Sequence, residues 1–464
     1  MLDGKDMKEF RNHSYEKLTR REHALYETAS DTRDPFFRDY TRILHSNAYR
    51  RLKHKTQVFF NISNDHVCTR MEHVAHVEAV SHSIALGLGL DPELTRAIAC
   101  GHDLGHAPFG HEGETVLNDL MREHLSTEYV ERVFGKDAKK LFWHERNGLR
   151  FVDKIELLPD LKGVEKNLCL TYAVRDGIIS HCGEVDENGL IPREEDFDLD
   201  LFRSPGQYMP YTWEGCAVKI SDKIAYLGRD IEDALTLNFL SGDAREELKK
   251  LGDEYSGDGA INTTSIMHGM IGDICRTSTP EKGICLGPGN LEFFDRIKDF
   301  NYRHIYRNPK FNVYKEYVKL VIKSIFDVLY AAYAGADTIC CLRDMYASAY
   351  PKLTGTFAGW LCKYASPELT VKAAASDCNA GGSEMQGKGS RYTAADGSEM
   401  QGKSSEMSGG SSGSASATVN MTDNDKIYGM LETPDIYVRS IIDFISGMTD
   451  PFAISIFEEL ISYG

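Results

Sequence analysis

The chain is acidic over its 464 residues, with 53 lysines and arginines against 70 aspartates and glutamates and a formal net charge of −17. This balance argues against a general affinity for nucleic acid, because neutralising phosphates and releasing their counterions requires a basic surface. It leaves room for a small anionic ligand in a local basic pocket. One island of positive charge, RRLKHK at residues 50–55, fits either such a pocket or a solvated helix face.

Composition also indicates the class of protein. With 42% hydrophobic residues the chain can bury a large core. No apolar run approaches the roughly 18 residues of a membrane span, and the first ten residues lack the apolar stretch of a signal peptide. The 11 cysteines are odd in number and form no CxxC pair, which is typical of reduced thiols. We therefore expect a soluble, cytoplasmic protein without a membrane segment.

Helical periodicity dominates the chain. The first clear helix is predicted over 66–86, and its apolar positions recur at three- and four-residue steps: Val74, Val77, Val80, Ile84 and Leu88. Asp91 is placed to cap a second helix whose first residue is Pro92. Further helical stretches are predicted at 140–158, 167–182, 214–238, 313–334, 337–348 and 435–447. Because alternating, strand-like runs are scarce, the predicted fold class is all-α.

Two segments depart from the helical pattern. Residues 184–200 are acidic and contain an Asn-Gly turn signal, which predicts a surface loop or a short hairpin. Residues 376–422 are rich in Gly, Ser and Ala and contain GSEMQGK twice, which predicts a flexible insertion without a core. The chain is therefore predicted to divide into a main body at 1–375, the insertion at 376–422 and helices at 423–464 that pack back on the body.

The stretch GHDLGHAPFGHEGE at 101–114 concentrates imidazole and carboxylate groups on one bend. Hydrolytic metal centres need such groups to converge from separate helices. His73 lies one helical turn after Arg70, and Asp222 begins a stripe of four-residue steps. Taken singly, each has an ordinary alternative, since a lone helical histidine is more often a hydrogen-bonded core residue and a lone aspartate a solvated charge. Their combination favours a metal site.

These residues form an H…HD…D pattern that resembles the HD-domain phosphohydrolases, and more narrowly the deoxyguanosine triphosphate triphosphohydrolase-like family. The similarity rests on segments that occur in the family's order: 42–59, 69–85, 101–114, 143–155, 170–184, 218–234 and 439–450. It implies an HD-domain helical bundle with additional C-terminal helices. It fails at 376–422, where the sequence has low complexity.

The resemblance implies one divalent metal ion for each active site. Its ligands would be His73, His102, Asp103 and Asp222. Two imidazoles and two carboxylates suit Mn²⁺, Fe²⁺, Zn²⁺ or a weakly held Mg²⁺. The implied reaction is hydrolysis at the α-phosphate of a deoxynucleoside triphosphate, which yields the deoxynucleoside and intact triphosphate.

The resemblance also implies a catalytic cluster of His111, Glu114 and His144, with His111 as general acid or base, Glu114 orienting it and His144 as the third member. His106 is left with two interpretations, a hydrogen bond to the turn backbone or a contact behind the metal ligands. The prediction for Gly105, Pro108 and Gly110 is that they are turn residues.

For the substrate, the resemblance implies phosphate contacts from Arg70 and Lys223, to which Arg51 and Lys53 would add positive charge. Tyr226 would pack against the deoxyribose where a 2′-hydroxyl would otherwise sit. Gln57 and Asp230 would hold the 3′-hydroxyl. Two alternatives stay open here: Tyr226 in ordinary core packing, and Asp230 paired with Arg229 or another surface cation.

Three functions are compatible with these residues. The first is the triphosphohydrolase, the second is an HD hydrolase of another phosphoester such as a nucleoside monophosphate or cyclic dinucleotide, and the third is a nucleotide sensor without turnover. KTQVF at 55–59 and SDKIAY at 221–226 favour the first. The resemblance further implies a homo-oligomer, a tetramer or hexamer, and allows allosteric nucleotide sites between subunits. The acidic composition gives no support for nucleic acid as a partner.

Overall fold

The computed structural model describes residues 9–25, 32–60, 66–181, 188–256, 261–369 and 427–462. These residues are mainly helical, which confirms the predicted all-α class, and they include one small two-stranded sheet. The helices α1 to α18 are, in chain order, Tyr15–Thr19, Pro35–His45, Asn47–Arg51, Arg70–Leu88, Pro92–Gly101, Gly110–His124, Thr127–Phe134, His144–Arg150, Tyr172–Ser180, Trp213–Thr236, Gly242–Ser256, Thr263–Thr277, Pro288–Asn301, Phe311–Ala331, Thr338–Cys341, Pro351–Tyr364, Pro434–Ser446 and Asp450–Ile461.

Helix α4 spans Arg70–Leu88, whereas the sequence predicted a helix over 66–86. Thr69 and Glu72 form a capping box at its start, and Gly89 ends it in the left-handed region at φ 70°. Its five predicted apolar positions are all buried. Asp91 then caps α5, because its carboxylate accepts hydrogen bonds from the amides of Glu93 and Leu94.

Three helices form the centre that carries the candidate site. Helix α4 packs against α5 and α10, and α5 also packs against α2 and α9. The ligand-type residues predicted from sequence lie on α4, just after α5 and on α10, so this packing brings them together. Helix α14 packs against α6, α17 and α18.

Some predicted helices end earlier than their periodicity suggests. In the stretch predicted at 140–158, α8 passes into a π-helical turn at Phe151–Ile155 and then into strand β1 at Leu157–Pro159. Strand β1 pairs antiparallel with β2 at Glu165–Asn167. The stretch at 337–348 is broken into the 3₁₀ turn Gly335–Asp337, helix α15 and the π-helical turn Leu342–Tyr346. Proline at 159 and the turn that joins the strands explain the first break.

Two further sequence predictions meet the structure only in part. Of the predicted loop or hairpin at 184–200, residues 188–200 are described, and there Leu190 pairs with Ile284 rather than within the segment. The predicted insertion at 376–422 lies outside the described residues.

In the described chain, α17 and α18 lie against the main body, where the Asp443 carboxylate pairs with Arg150 and the Asp450 carboxylate accepts the amide of Phe109. The division into 1–375, 376–422 and 423–464 stays a prediction.

Among the described helices none is by itself long and apolar enough to cross a bilayer, although two sharply bent pairs, α14 with 335–346 and α17 with α18, meet the criterion jointly. All nine described cysteines are free thiols.

A buried glutamate near the chain's N-terminal segment gives a first prediction. Glu214 accepts hydrogen bonds from the Asn12 side chain at 2.7 Å and the Asp91 amide at 2.9 Å. Burial nevertheless raises the pKa of Glu214 to about 6 from 4.5. Since the folded protein binds this proton more tightly than the unfolded chain, its stabilising contribution is present below pH 4.5 and is lost as pH rises through about 6.

Between pH 4.5 and 7.5, the unfolding free energy of the unaltered protein should fall by about 2 kcal/mol more than that of the Glu214→Gln variant. Urea titrations at several pH values measure this difference. Exposed Glu316 provides the matched change, Glu316→Gln, which should leave the pH profile as it is in the unaltered protein. Parallel profiles for the unaltered protein and Glu214→Gln would contradict the assignment.

Candidate active site

Four side chains from separate parts of the helical centre converge at the base of one pocket. His73 projects from α4, His102 and Asp103 follow α5, and Asp222 projects from α10. The His73 Nε2 atom lies 2.9 Å from the Asp222 Oδ1 atom. The His102 Nε2 atom lies 3.5 Å from Asp103 Oδ1 and 3.8 Å from Asp222 Oδ1. The structure therefore brings together the four residues predicted as metal ligands.

The donor atoms fit a divalent cation. One donor atom each from His73, His102 and Asp103 lies within 4.8 Å of the others. The His102 Nδ1–H group donates to the Ala99 carbonyl at 2.7 Å, so its Nε2 atom is an acceptor. That Nε2 atom is buried and has no hydrogen-bond partner in the described part of the chain. A buried acceptor beside two carboxylates is costly unless a cation occupies the space between them.

Both carboxylates of this group are held in the ionised form. Burial by itself would raise their pKa values. Electrostatic interactions with the imidazoles of His102 and His106 and with the Arg70 guanidinium outweigh burial and hold the pKa of Asp103 well below its usual range. At Asp222 the hydrogen bond and charge of His73 likewise outweigh burial and lower the pKa. Two ionised carboxylates and two imidazoles form a donor set typical of first-row divalent metals.

Arg70 links this group to the pocket. Its side chain is buried, and its Nη1 atom donates to Asp103 Oδ2 at 2.8 Å. The Nε and Nη2 atoms are buried and have no hydrogen-bond partner among the described residues. Since Arg70 also lines the pocket, its unpaired donors are available to an anionic ligand.

A second polar cluster lies at the other end of the bend. The Glu114 carboxylate accepts the Nδ1–H of His144 at 2.9 Å and the backbone amide of His144 at 3.3 Å, and it also contacts Lys140. His111 lies beside this pair, with its ring centroid 5.8 Å from that of His144. No hydrogen bond joins Glu114 to His111 in the described structure. In this structure the Glu114 carboxylate orients His144, and the orientation of His111 by Glu114 stays a prediction.

The charge state of His111 follows from its surroundings. Its side chain is partly accessible at the pocket wall. Desolvation by the surrounding protein lowers the pKa of His111, the nearby Glu114 charge opposes that shift, and the charges of Arg70 and His144 add to it. The imidazole is therefore neutral at pH 7, which is the form that accepts a proton.

The glycines of the bend act through close packing as well as turn geometry. A Cβ atom on Gly105 would lie 2.0 Å from the His144 carbonyl oxygen, and one on Gly113 would lie 1.9 Å from the Pro108 carbonyl oxygen. Gly110 has φ of 61°, which agrees with its predicted turn role. Gly105 has a different role: because it lacks a side chain, α8 can approach closely, and this brings His144 next to the metal-ligand group.

Above these two clusters lies a pocket of about 370 Å³. It is lined by predicted substrate residues, namely Gln57, Arg70, Lys223, Tyr226 and Asp230. An aromatic wall was not predicted from sequence and consists of Phe109, Tyr302, Tyr306, Phe311 and Tyr314. The pocket thus combines positive charge, metal-ligand groups and aromatic ring surfaces in one space.

Two predicted phosphate-field residues are not part of this pocket. The short helix α3 turns Arg51 toward strand β1, where its Nη2 atom donates to Glu156 at 2.7 Å. Lys53 is exposed on the following 3₁₀ turn, Leu52–His54. Neither residue lines the pocket, and the prediction that they add to the phosphate field stays a prediction. The basic island instead contributes Lys55, which is buried and bonds to the carbonyls of His106 and Ser446.

Asp230 is a buried pocket carboxyl rather than one partner of a surface ion pair. Its Oδ2 atom accepts the Tyr306 hydroxyl at 2.5 Å. Arg229 pairs with Glu232 and Asp233 instead. Burial raises the pKa of Asp230 to about 7. The Oε1 atom of Gln57, on the same pocket wall, is buried without a partner among the described residues.

Comparison with known proteins agrees with this geometry. A model of the HD domain matches residues 70–227. A deoxyguanosinetriphosphate triphosphohydrolase-like protein of Desulfatibacillum aliphaticivorans is 35% identical over 302 residues, which cover 64% of this chain and 73% of the relative. One from Caldanaerobacter subterraneus is 34% identical over 309 residues, which cover 66% of this chain and 75% of the relative. One from Clostridium tetani is 36% identical over 216 residues, which cover 47% of this chain and 50% of the relative.

The chain belongs to the deoxyguanosinetriphosphate triphosphohydrolase-like family. It is accordingly an HD-domain phosphohydrolase by class. The matched domain contains His73, His102, Asp103 and Asp222, together with both members of the Glu114–His144 pair. Gln57 and Asp230, on the remaining pocket wall, lie just outside its limits.

Two histidines of this family member complete the site beyond the predicted residues. His106 lies 3.1 Å from Asp103 Oδ1 through its Nε2 atom, and its ring is 3.8 Å from that of His144. Of its two predicted interpretations, the structure favours the contact behind the metal-ligand group. His181, at the end of α9, was missed, and its ring centroid is 5.0 Å from that of His102. The sequence ISHCGE, in which this histidine follows a buried helix, is the available signal.

Proposed function

We propose that this protein is a metal-dependent triphosphohydrolase of deoxynucleoside triphosphates, acting on dGTP and on other deoxynucleoside triphosphates. The reaction adds water at the α-phosphorus and breaks its bond to the 5′ oxygen, releasing deoxynucleoside and inorganic triphosphate. The observation that carries this proposal is the combination, in one pocket, of a His/Asp donor set, the unpaired donors of Arg70 and an aromatic wall. Family membership supports the same reaction.

The residues that would hold one divalent ion are His73, His102, Asp103 and Asp222. When bound, an ion of the Mn²⁺, Fe²⁺, Zn²⁺ or Mg²⁺ kind polarises a phosphoryl oxygen and lowers the pKa of a coordinated water to about 7. Neighbouring residues hold the ligand side chains in position for the ion. The hydrogen bond from His102 to Ala99 fixes the ring so that its Nε2 atom is an acceptor, and Arg70 and His106 hold Asp103 from behind.

Charge neutralisation on the phosphates is proposed for Arg70 and Lys223. Arg70 is fixed by Asp103, so its remaining donors are directed without further loss of side-chain freedom. Lys223 follows Asp222 directly and lines the same pocket. A guanidinium and an ammonium placed in advance stabilise the charge that develops on the phosphoryl oxygens.

Proton transfer is proposed for His111 and His144. His111 is neutral at pH 7 and lines the pocket, which favours the general-base role among its two predicted roles. The Glu114 carboxylate requires a proton on His144 Nδ1 and so fixes the orientation of that ring. His144 would then supply or hold a proton near the departing 5′ oxygen.

Sugar recognition is proposed for Tyr226, Gln57 and Asp230. The buried Asp230 carboxyl and the buried Oε1 atom of the half-buried Gln57 side chain offer hydrogen bonds to a 3′-hydroxyl, and Tyr306 holds the Asp230 carboxyl in place. Tyr226 lies four residues before Asp230 on α10, so both side chains lie on one face of the helix. Its ring would fill the space of a 2′-hydroxyl.

Replacing Tyr226 by alanine tests this sugar contact. We expect Tyr226→Ala to raise the kcat/KM ratio of ribo- to deoxynucleoside triphosphate by about tenfold or more, because steric exclusion is lost. Competing-substrate assays measure the ratio. Tyr226→Phe keeps the ring and should keep the selectivity of the unaltered protein. An unchanged ratio in the alanine variant would show that selectivity arises elsewhere in the pocket.

Product analysis tests the function itself. The purified full chain is incubated with each of the four deoxynucleoside triphosphates and Mn²⁺, singly and in mixtures, and the products are separated by ion exchange. The expected result is deoxynucleoside and intact triphosphate in equal amounts. Activity found only in mixtures would indicate an activating nucleotide site. Release of monophosphate or phosphate, or no turnover with any mixture or metal, would contradict the proposal and favour another phosphoester or a sensor.

Assembly is a separate proposal. Family analogy favours a homo-oligomer, a tetramer or hexamer, which sedimentation of the full chain would measure directly. We also propose that residues 1–375 form the HD-domain core. The ion pair between Arg150 of α8 and Asp443 of α17 supports the proposed packing of 423–464 on this core.

A further inference from the structure

The bend between the two polar clusters has an uncommon backbone conformation. Phe109, the residue before helix α6, has φ of 65° and ψ of 20°, and the next residue, Gly110, has φ of 61°. The left-handed region is unfavourable for a residue with a bulky side chain and persists only where the surrounding structure holds it. His111 is the second residue of α6. The position of its imidazole in the pocket therefore depends on how the backbone at 109 and 110 is held.

Asp450, the first residue of α18, holds this backbone from a distant part of the chain. Its side chain is buried, and its Oδ1 atom accepts the amide of Phe109 at 2.8 Å. Its Oδ2 atom accepts the amide of Thr56 at 3.0 Å and the hydroxyl of Thr56 at 2.8 Å. Phe109 and Thr56 line the active-site pocket, and Asp450 does not. The carboxylate therefore joins two pocket-lining residues from outside the pocket.

Two other side chains hold the same stretch of backbone. The Tyr314 hydroxyl of α14 donates to the Phe109 carbonyl at 3.1 Å, so the amide and the carbonyl of this residue are both hydrogen-bonded. The Lys55 ammonium donates to the His106 carbonyl and, at 3.2 Å, to the carbonyl of Ser446, the last residue of α17. The bend is thus tied to both C-terminal helices, to the end of α17 and to the start of α18.

The Asp450 carboxylate is directed to the bend and not to its own helix. Helix α18 is capped by Thr449, whose hydroxyl oxygen accepts the amide of Phe452 at 3.3 Å. The two carboxylate oxygens of Asp450 instead accept donors from two other segments of the chain. Burying a carboxylate is costly unless its oxygens are hydrogen-bonded, and here the bonds that satisfy it are those that fix the bend.

We propose that Asp450 is a positioning residue for the reaction, which acts through the backbone of Phe109 on His111. This inference rests on the proposed function and gives the C-terminal helices a role in it. Fixing the backbone two residues before His111 sets the place where the imidazole meets the proton that it accepts. A misplacement of about 1 Å in a catalytic group can lower a rate by about 10²-fold.

A double-mutant cycle between Asp450 and His111 tests the proposal. Asp450→Ala should keep the metal content of the unaltered protein and lower kcat for dGTP by about 10–100-fold, with KM changed by less than about twofold. In the His111→Ala background the same change should lower kcat by less than about twofold, because the group on which Asp450 acts is absent. A loss of folded protein would lower kcat equally in both backgrounds. Such equal losses, or an unchanged kcat in Asp450→Ala, would overturn the proposal.

Asp435 provides a matched control because its carboxylate makes the same kind of contact elsewhere. It is the second residue of α17, and it accepts the amide of Ser126 at 2.7 Å and the hydroxyl of Ser126 at 2.8 Å. Neither residue lines the pocket. Asp435→Ala should therefore leave kcat unaltered. If Asp450→Ala does not fold, Asp450→Asn, which keeps one accepting oxygen, takes its place in the cycle.

Hydrogen exchange separates this inference from the proposed function. Asp450→Ala should speed amide exchange in residues 106–114 and leave exchange in α5 as it is in the unaltered protein. An absence of turnover in the unaltered protein would contradict the proposed function, and the exchange measurement would still decide whether Asp450 holds the bend. Unchanged exchange in 106–114, with or without turnover, would overturn the inference.

Discussion

The Asp222→Asn variant is expected to lose its bound metal and to fall in turnover by on the order of a thousandfold or more. Removing a partner behind a metal ligand already costs about 10–100-fold in affinity or activity, and a direct ligand should cost more. Asparagine has nearly the same shape but no negative charge, so the cation loses one of two carboxylates. The Oδ1 atom of asparagine can still accept from His73, whose Nε2 atom lies 2.9 Å from Asp222 Oδ1, so the change is chiefly one of charge.

Metal content by mass spectrometry and turnover of dGTP, measured on the same preparation, test this expectation. Asp233, on the same helix, caps the Cys68 amide and lies outside the pocket, so Asp233→Asn is the matched control. It should keep both metal and rate. Full metal occupancy in Asp222→Asn would show that the ion is held elsewhere, whereas unchanged thermal unfolding would confirm that the loss is local.

The His111→Ala variant is expected to keep its metal and lose about 10²–10⁴-fold in kcat, the usual contribution of general acid–base catalysis. His111 makes no hydrogen bond to the metal-ligand group in the described structure, so its removal should leave that group in place. The KM should change little, because the imidazole is proposed to act on a proton and not to hold the phosphates. Because burial lowers the pKa of His111 to about 4, the base is neutral throughout pH 5–9, and the loss should be similar across that range.

Steady-state kinetics over pH 5–9, with metal content measured in parallel, test this separation. Exposed His268 on α12 provides the matched change, His268→Ala, which should leave kcat unaltered. If His111→Ala kept full turnover, the base would lie elsewhere in the pocket. If the unaltered protein showed no turnover and bound nucleotide with the same affinity as the variant, the sensor interpretation would replace the enzyme.

Much of the helical architecture could be predicted from local sequence. Val74, Val77 and Val80 recur with the period of a helix, and Asp91 with Pro92 marks a helix start, because both signals act within one or two turns. The groups that meet at the metal-ligand site were predicted in another way, from the H…HD…D pattern and the family resemblance based on it. The break after Arg150 could not be read in this way, since apolar periodicity continues through residues where the chain changes to a π-helical turn and a strand.

The sequence by itself determined the residue types of the site and the helices that carry them, because capping, periodicity and the His-Asp pattern are local properties. Only the tertiary structure decided which groups touch. Glu114 orients His144 because α8 lies close to Gly105. A Cβ atom at position 105 would collide with the backbone of α8. Arg51 is directed to Glu156 and away from the pocket by the turn after α3. Asp450 likewise reaches the bend from a distant segment of the chain, and only the packing of helices fixes such distances.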